Sequence, residues 1–387
     1  MKTIEAVIDE LGLRGVVDVV PVLSGYPSPK YINLVVRRLG GRTFLFESSA
    51  SRPDIVQQVD EKLTGLGVDR LDALLVTHCH GDHGGGAGIH AGRGRKQDER
   101  APIYVHSAGY RFLTQPETSF LHETYELFLA RAQWGLLDYS SLSDEQILEN
   151  AMRQRLQGYF TKTPKGALRF IDHGSLPEGF VAVFTPGHSH DCCLYYDEVL
   201  KIAVPGDTII TKGVPDDEST HAYVVPIFTV AGQVYSMAYE RFLRTIRVLR
   251  RFFETHEVRA IFPPHGRLAI TEPLEWCEFA VRYFEGIYRA LVEDFFGDTD
   301  KGWTDKPFRA QDLSPYIPSA GAHPVSTASH LFGMLCMLAD EGYLSMSEHP
   351  RTRQLTFELL TMPPTDLVAN LLAKDAGHLA MYGGAPG

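Results

Sequence analysis

The 387-residue sequence is poor in cysteine and lacks long apolar runs. Its five cysteines are odd in number and are not spaced as a disulfide framework, which favours a reducing compartment. No segment reaches the roughly 18 uninterrupted apolar residues that a membrane span needs, and the N-terminus has no apolar core of a signal peptide. We therefore expect a cytoplasmic protein without a membrane partner.

An excess of positive charge is also missing. Lysine plus arginine number 37 against 48 acidic residues, which gives a formal net charge of -11, and no block of like charges stands out. Because nucleic-acid binding depends mainly on cationic contacts to phosphate, this balance disfavours a nucleic-acid partner. Internal repeats and low-complexity tracts are absent, and the length predicts one large domain with a smaller appended piece.

Strands and helices alternate along much of the chain. Residues 31–38 and 43–47 predict a pair of strands, 53–66 a helix and 73–77 the next strand. A long amphipathic helix is predicted at about 234–255. This alternation is typical of an α/β protein.

The stretch THCHGDHGGG begins at the end of the strand predicted at 73–77 and places three histidines and one aspartate within six positions. His78 and His80 are two residues apart, so both imidazoles can point to the same side. Asp82 and His83 follow one turn later, where three glycines let the backbone bend tightly. One loop can therefore face two metal ions, and its imidazole and carboxylate groups suit zinc and, nearly as well, iron or manganese.

A single loop cannot fill the coordination of two ions, so further ligands are needed at other strand ends. His188 in VFTPGHSHD, Asp207 in IAVPGDTII and His265 in AIFPPHG each follow an apolar run and a turn. Together with the four side chains of the first loop, these residues make seven candidate ligands. The complete set, rather than any one member, indicates a metal site. The remaining histidines lack such a motif and are interpreted as structural.

The whole pattern resembles the metallo-β-lactamase-fold hydrolase superfamily over about residues 15–270. The resemblance implies an α/β fold, a four-layer αββα sandwich, with a dinuclear metal site at one edge. It distributes the ligands over two metals: His78, His80 and His188 on the first, Asp82, His83 and His265 on the second, and Asp207 on both. A hydroxide shared by two divalent ions, Zn²⁺ in the first place and iron or manganese as alternatives, would attack an acyl or phosphoryl centre. The carboxylates of Asp82 and Asp207 are expected to serve catalysis as well as metal binding.

Departures from the family pattern narrow the function. Aspartate at 207, where the commonest zinc β-lactamases place a cysteine, argues for the glyoxalase II, lactonase, thioesterase and nuclease branches. Quorum-quenching lactonases carry a tyrosine shortly after this aspartate, but the run here is GDTIITKG, which leaves Tyr223 or Tyr235 as substitutes. The run FLFESSASRP replaces an aspartate-threonine-glycine turn, a change that could alter the support beneath the metal loop.

An aromatic, helical insertion at about 110–157 falls where family members place a lid over the metals. Two interpretations of its aromatic side chains stay open, a wall for an apolar acyl pocket or packing between helices. The side chains concerned are Phe120, Tyr125, Phe128 and Trp134.

We assign residues 1–297 to the catalytic domain and 298–387 to a small winged-helix-like domain, similar to the tail of the β-lactamase-like-protein-2 group. From residue 301 on there are six basic and eight acidic residues, the opposite of the balance expected for a nucleic-acid-binding winged helix. The tail is therefore expected to pack onto the catalytic domain or to close a homodimer.

These features predict a dinuclear metal-dependent hydrolase that acts on an ester or thioester of a small-molecule or acyl-carrier-linked substrate, lactones included. There are three alternatives: an iron-dependent oxidoreductase on the same fold, a phosphodiesterase or ribonuclease, and a binding or scaffold protein that keeps the fold without its chemistry. The complete set of ligand positions argues against the third. A mononuclear iron dioxygenase would use the first site alone, so the complete second site argues against it. His190 is expected to support the site or to be structural, and Cys192 and Cys193 to be buried in the following strand.

Overall fold

The computed structural model describes residues 1–26, 29–116, 161–211, 235–317, 324–374 and 381–383. It also describes positions 119, 129–130, 132–134, 143, 145–146, 149, 223–224, 226 and 228. Most of the insertion predicted at 110–157, including Phe120, Tyr125 and Phe128, lies outside the described residues.

The strands are short, and the described part of the chain contains them in this order: β1 (Lys2–Thr3), β2 (Val17–Leu23), β3 (Tyr31–Leu39), β4 (Arg42–Phe46), β5 (Ala73–Leu75), β6 (Ile103–Val105), β7 (Leu168–Phe170), β8 (Phe180–Phe184), β9 (Cys193–Asp197), β10 (Ile202–Val204), β11 (Ile210–Thr211), β12 (Tyr223–Val224), β13 (Ala260–Ile261), β14 (Leu268–Ala269), β15 (Leu344–Glu348), β16 (Leu355–Leu359) and β17 (Met381–Gly383). The strands predicted at 31–38, 43–47 and 73–77 are confirmed as β3, β4 and β5.

The α-helices of the described part are α1 (Ile4–Glu10), α2 (Pro53–Gly65), α3 (Gly81–Gly84), α4 (Ala87–His90), α5 (Tyr110–Thr114), α6 (Tyr235–Thr255), α7 (Pro273–Arg289), α8 (Pro324–Asp340) and α9 (Leu367–Ala373). The helices predicted at 53–66 and 234–255 are confirmed as α2 and α6. No helix among the described residues is both long and apolar enough to cross a membrane.

Two sheets form the centre of the molecule. The first has the strand order β2-β3-β4-β5-β6-β7, antiparallel from β2 to β4 and parallel from β4 to β7. The second has the order β13-β10-β9-β8-β17, and only its β10 and β13 are parallel. Short antiparallel pairs link β1 to β14, β11 to β12 and β15 to β16.

The core between the two sheets follows from the alternation of side chains along each strand. In β3, Val35 faces the second sheet, whereas Leu34 and Val36 belong to the cluster on the opposite face. Phe44 of the first sheet and Phe180 of the second meet edge to face, with ring centroids 5.1 Å apart. The two sheets therefore pack face to face.

Helices cover the outer face of each sheet. Helix α2 buries Ile55, Val59 and Leu63, spaced four residues apart on one side of the helix, against the first sheet. Helix α6 packs Phe242 and neighbouring side chains into a cluster with the outer face of the second sheet. The order helix, sheet, sheet, helix confirms the predicted αββα sandwich.

The C-terminal part adds helix α8, the hairpin β15-β16 and helix α9. Helix α8 packs on α6, and both parts of the chain contribute to one hydrophobic cluster. Trp134 of the insertion is buried in that cluster with its ring 5.6 Å from the ring of Phe332, so this aromatic residue packs helices together. Strand β17 pairs with β8 at the edge of the second sheet. The division of the chain at residue 297 stays a prediction.

Candidate metal centre

The predicted ligands all follow ends of central strands. The loop with the first four ligands comes directly after β5 and turns into α3. His188 follows β8, Asp207 follows β10 and His265 follows β13. The fold brings these four segments to one place, where all seven predicted ligands form three overlapping groups of metal-competent side chains.

Two of these turns require glycine immediately before the ligand. Gly187 has φ +146°, and a Cβ atom there would lie 2.6 Å from Cδ2 of Phe242. Gly206 has φ +56°, and a Cβ atom there would lie 2.5 Å from Oγ1 of Thr77. A larger residue would push His188 or Asp207 away from the centre, because positive φ and close backbone approach both exclude a side chain.

The first group consists of His78, His80 and His188. Nδ1 of His80 lies 2.9 Å from Nε2 of His78 and 2.9 Å from Nε2 of His188. His78 and His188 are buried, whereas His80 is partly exposed. The three imidazoles thus converge on one point that is accessible from the His80 side.

The second group consists of Asp82, His83 and His265, all of them buried. Nε2 of His265 lies 3.3 Å from Oδ2 of Asp82, and Nε2 of His83 lies 3.7 Å from Oδ1 of the same carboxylate. One carboxylate and two imidazoles are a ligand set that zinc, iron and manganese accept.

Asp207 stands between the two groups. Its Oδ1 lies 3.2 Å from Nε2 of His83 and 3.3 Å from Nε2 of His265. Its Oδ2 lies 3.4 Å from Nε2 of His188, a member of the first group. Each oxygen therefore faces a different group, as a bridging carboxylate requires.

Oxygen atoms behind the histidines hold the other side of each ring. Nδ1 of His265 lies 2.7 Å from the carbonyl oxygen of Tyr31, and Nδ1 of His78 lies 3.1 Å from Oγ1 of Thr77. An N–H donated to these oxygens leaves Nε2 with its lone pair directed at the centre. Such outer contacts orient metal-binding histidines and raise their basicity.

Glu47 fills the corresponding place behind His83 and was not singled out from the sequence. Its fully buried carboxylate lies 3.0 Å from Nδ1 of His83 and accepts hydrogen bonds from the backbone N–H and the hydroxyl of Thr77. Glu47 has φ +64°, and Ser49 has φ +60°. Such conformations cost side-chain-bearing residues energy and cluster at functional sites. The signal in the sequence was the altered turn FLFESSASRP, in which Glu47 supplies the support.

Asp191 is a further residue that the sequence did not reveal. Its buried carboxylate accepts a hydrogen bond from the backbone N–H of Cys79 at 2.9 Å and one from the hydroxyl of Ser189 at 2.7 Å. Cys79 lies between two ligands of the first loop, and Ser189 follows His188. Asp191 therefore ties the two ligand loops to each other.

The buried charges stabilise one another. Burial alone would lower the pKa of His83, but the carboxylates of Asp207, Asp82 and Glu47 outweigh burial and hold that pKa well above its ordinary value. Burial alone would raise the pKa of Asp207, but the surrounding histidines hold it well below the ordinary value. Burial and the neighbouring histidines hold the pKa of His78 well below the ordinary value, so its ring is neutral.

The donor atoms fit bound metal. Nε2 of His83, Nε2 of His265 and Oδ1 of Asp207 are buried, and none of them is hydrogen-bonded to a described residue. Buried polar atoms that form no hydrogen bond are costly, and a cation at the centre would satisfy all three. The residues present therefore fit bound metal cations.

The sequence profile of the metallo-beta-lactamase superfamily matches residues 29–256, which is more than half of the 387 residues. The chain belongs to the metallo-β-lactamase superfamily. The fold and the histidine and aspartate cluster of this superfamily member support a metal-dependent, hydrolase-like function.

Solved structures of superfamily members share the fold over nearly the whole chain. A metallo-beta-lactamase family protein from Thermus thermophilus is 20% identical, with a TM-score of 0.60 over 90% of this chain and 99% of that one. A beta-lactamase domain protein from Burkholderia ambifaria is 17% identical, with a TM-score of 0.57 over 89% and 92%. No curated protein matches the sequence.

The remaining candidates lie outside the ligand groups. Nε2 of His190 lies 2.9 Å from the carbonyl oxygen of Ala108, so that ring is held by backbone. Cys192 and Cys193 are buried as expected, and burial raises the pKa of both thiols well above the ordinary value. Their thiols therefore stay protonated, which disfavours a nucleophilic role.

Of the two tyrosines considered as a substitute phenol, Tyr223 is described and the side chain of Tyr235 lies outside the described residues. The ring of Tyr223 lies 5.3 Å from the ring of Phe279 in α7. Burial and the carboxylate of Glu275 raise the pKa of Tyr223 to about 12. The side chain of Tyr223 therefore interacts with residues of helix α7.

Proposed function

We propose that this superfamily member is a dinuclear metal-dependent hydrolase of esters and thioesters, with thioesters as the preferred class. The observation that carries the proposal is the position of Asp207. Its two oxygens face two different ligand groups at 3.2 to 3.4 Å, and an aspartate shared in this way suits a pair of metals.

Different residues of the chain would bind the metal ions and support the ligand loops. His78, His80 and His188 would hold one ion, while Asp82, His83 and His265 would hold the other. Glu47 and Asp191 would keep the ligand loops in place. Bound ions would lower the pKa of water at the centre and polarise the carbonyl oxygen of the substrate.

The leaving group favours thioesters within this class. A thiol has a pKa of about 8.5, so its thiolate leaves without protonation, whereas an alkoxide benefits from a nearby acid. The run after Asp207 lacks a tyrosine, and the phenol of Tyr223 contacts Phe279. A substrate that needs no acid on its leaving group suits this arrangement.

The chain's charge supports an acyl substrate over a nucleic acid. The net charge of -11 opposes the approach of a polyanion, and the part after residue 301 has more acidic than basic residues. Hydrolysis of phosphodiesters is therefore the weaker candidate.

The test combines metal content with a matched pair of substrates. Elemental mass spectrometry on protein purified without added metal should give close to two metal ions per chain, with zinc and no visible absorption band. The kcat/KM for an acyl thioester should exceed that for the oxygen ester with the same acyl group, and the variant Asp207→Asn should lose both activities. The exposed-site variant Asp300→Asn serves as the control for loss of a carboxylate.

Three results would contradict the proposal. Iron with a visible band and oxygen consumption would favour an oxidoreductase. Turnover of bis(p-nitrophenyl) phosphate or RNA without ester cleavage would favour a phosphodiesterase. Ester cleavage that persists in Asp207→Asn would separate the activity from the predicted metal centre.

A further inference from the structure

A cleft of about 440 Å³ opens beside the loop that follows α4. None of the seven predicted ligands lines it. Its lining includes four cationic side chains, Arg93, Arg95, Lys96 and Arg100, and a single acidic one, Asp60 of α2. This concentration of positive charge is unexpected in a protein with a net charge of -11.

One arginine holds the loop in place. Arg93 donates from Nε to the carbonyl oxygen of Val68 at 2.7 Å, from Nη1 to Oδ1 of Asp60 at 2.9 Å and from Nη2 to Oγ1 of Thr64 at 2.8 Å. Its charge is therefore paired with that of Asp60. Gly94, at φ +64°, lies so close to the carbonyl oxygen of Asp69 that a Cβ atom would stand 2.3 Å from it. These contacts hold the loop against helix α2 and the segment that follows it.

The other two arginines are anchored but retain free hydrogen-bonding capacity. Arg95 donates from Nη2 to the carbonyl oxygen of Leu71 at 2.8 Å, and Arg100 donates from Nη1 to the carbonyl oxygens of Gln97 and Glu99, both at 2.8 Å. The Nε atoms of both arginines are buried, and no described residue accepts a hydrogen bond from them. Each guanidinium is held in place, and its Nε has no acceptor among the described residues.

His90 is an independent sign that the cleft receives a polar ligand. This histidine lines the cleft, is 1% exposed and forms no hydrogen bond with a described residue at either ring nitrogen. Its Nδ1 lies 3.8 Å from Oδ1 of Asp60, beyond hydrogen-bonding distance. An imidazole buried in this way, whose nearest carboxylate lies beyond hydrogen-bonding distance, favours a ligand with hydrogen-bonding atoms.

The remaining charges leave the cleft positive. Asp60 is paired with Arg93, and the acidic side chains of Asp98 and Glu99 are exposed and do not line the cleft. Arg95, Lys96 and Arg100 therefore have no counter-charge among the lining residues. Guanidinium groups with unused N–H donors match the acceptor oxygens of phosphate in charge and geometry.

The size of the cleft indicates more than a bare oxyanion. At about 440 Å³, the cleft is many times larger than the roughly 30 Å³ that one water molecule occupies in the liquid. We propose that this cleft binds the phosphate group of a small phosphate monoester, with Arg95, Lys96 and Arg100 as its cationic contacts and His90 as a further hydrogen-bonding partner.

The test uses the full chain with its metals bound. Isothermal titration calorimetry at constant ionic strength would compare inorganic phosphate with ribose 5-phosphate, which separates the free ion from a phosphate carried on a larger molecule. Because phosphate can also bind metal ions, hydrogen exchange would locate the binding. Protection is expected in a peptide covering residues 91–101, independently of the ligand loop at 77–84.

Variants then assign the contacts. Arg95→Gln and Arg100→Gln should each weaken binding about tenfold or more, the loss expected for one charge-assisted hydrogen bond. Lys62→Gln removes an exposed charge from the neighbouring helix α2 without touching the cleft, and it should bind as the unmodified chain does. All three variants should retain the metal content.

Tighter binding of ribose 5-phosphate than of inorganic phosphate would support the proposal in full. If inorganic phosphate binds saturably and ribose 5-phosphate does not, the phosphate contacts are supported and the proposal that the ligand is a phosphate monoester is overturned. The site itself would be overturned by any of three results: no saturable binding of either compound, protection restricted to residues 77–84, or equal losses in Lys62→Gln and the two arginine variants.

Discussion

Oε1 of Glu47 lies 3.0 Å from Nδ1 of His83, and both side chains are fully buried. The two residues are 36 positions apart in the chain, and the same carboxylate also accepts two hydrogen bonds from Thr77, the residue before the first predicted ligand. One side chain thus orients a ligand and anchors the loop that carries four of them. The carboxylate of Glu47 therefore contacts both a predicted ligand and the base of the ligand loop.

We therefore predict that Glu47→Gln weakens metal binding at the proposed site of Asp82, His83 and His265. The amide keeps an acceptor for Thr77 but removes the negative charge beside His83. Loss of such an outer partner typically costs about 10- to 100-fold in metal affinity. Competition with a chromophoric chelator would measure the loss. Glu61→Gln, on the exposed side of α2, is the control, and equal affinities in the two variants would refute the role of Glu47.

Replacement of the shared ligand should have a larger effect. In Asp207→Asn we expect fewer than two metal ions per chain and a loss of hydrolysis beyond the roughly 100-fold that outer partners cost. Oδ1 and Oδ2 face different ligand groups, so the substitution affects both. Elemental analysis, activity and circular dichroism would be measured together. An Asp207→Asn protein with two metals and full activity would rule out the shared role.

Two histidines of the run GHSHD should differ in importance. His188→Ala removes a side chain that meets both His80 and Asp207, so metal content and activity should collapse. His190→Ala removes a ring that contacts the carbonyl oxygen of Ala108, and its effect should be several-fold smaller. Metal content and kcat/KM of the two variants provide the comparison. The reverse order would mean that His190 is the ligand.

A buried histidine outside the predicted ligand set predicts a pH-dependent stability. His330 of α8 lies 2.9 Å from the hydroxyl of Tyr283 through Nδ1 and 2.6 Å from the carbonyl oxygen of Pro226 through Nε2. Burial lowers its pKa to about 4, against about 6.5 for an unfolded chain. As the pH falls below 6.5 the unfolded state takes up a proton that the folded state does not, so folding stability declines towards pH 4.

The predicted loss between pH 7 and pH 5 is about 2 kcal/mol from this group. Urea unfolding with a chelator present, so that metal release does not contribute, would measure it. His330→Asn should remove that part of the pH dependence, whereas His349→Asn, at an exposed position, should retain it. If the difference between pH 7 and pH 5 is the same in both variants, His330 is not its source.

Local patterns in the sequence predicted the parts of the fold that neighbouring residues control. Strand β3 and helix α2 could be predicted from the sequence, because side-chain periodicity along a backbone depends on residues a few positions apart. The ligand loop could be predicted for the same reason. Its four ligands lie within six positions after one strand: His78, His80, Asp82 and His83. The resemblance of the seven-ligand pattern then led to the superfamily, which the profile match confirmed.

Contacts between distant segments were decided by the tertiary structure. Asp191 between two ligand loops and Trp134 against Phe332 join residues whose local sequences carry no sign of the partner. The run FLFESSASRP indicated a changed support beneath the metal loop, but it did not identify His83 as the contact of Glu47. The pairing of β17 with β8 also joins distant segments that no periodicity connects. The types of the ligands follow from composition and spacing. Which side chain stands behind each ligand follows from how sheets and helices pack, because burial and register bring those groups together.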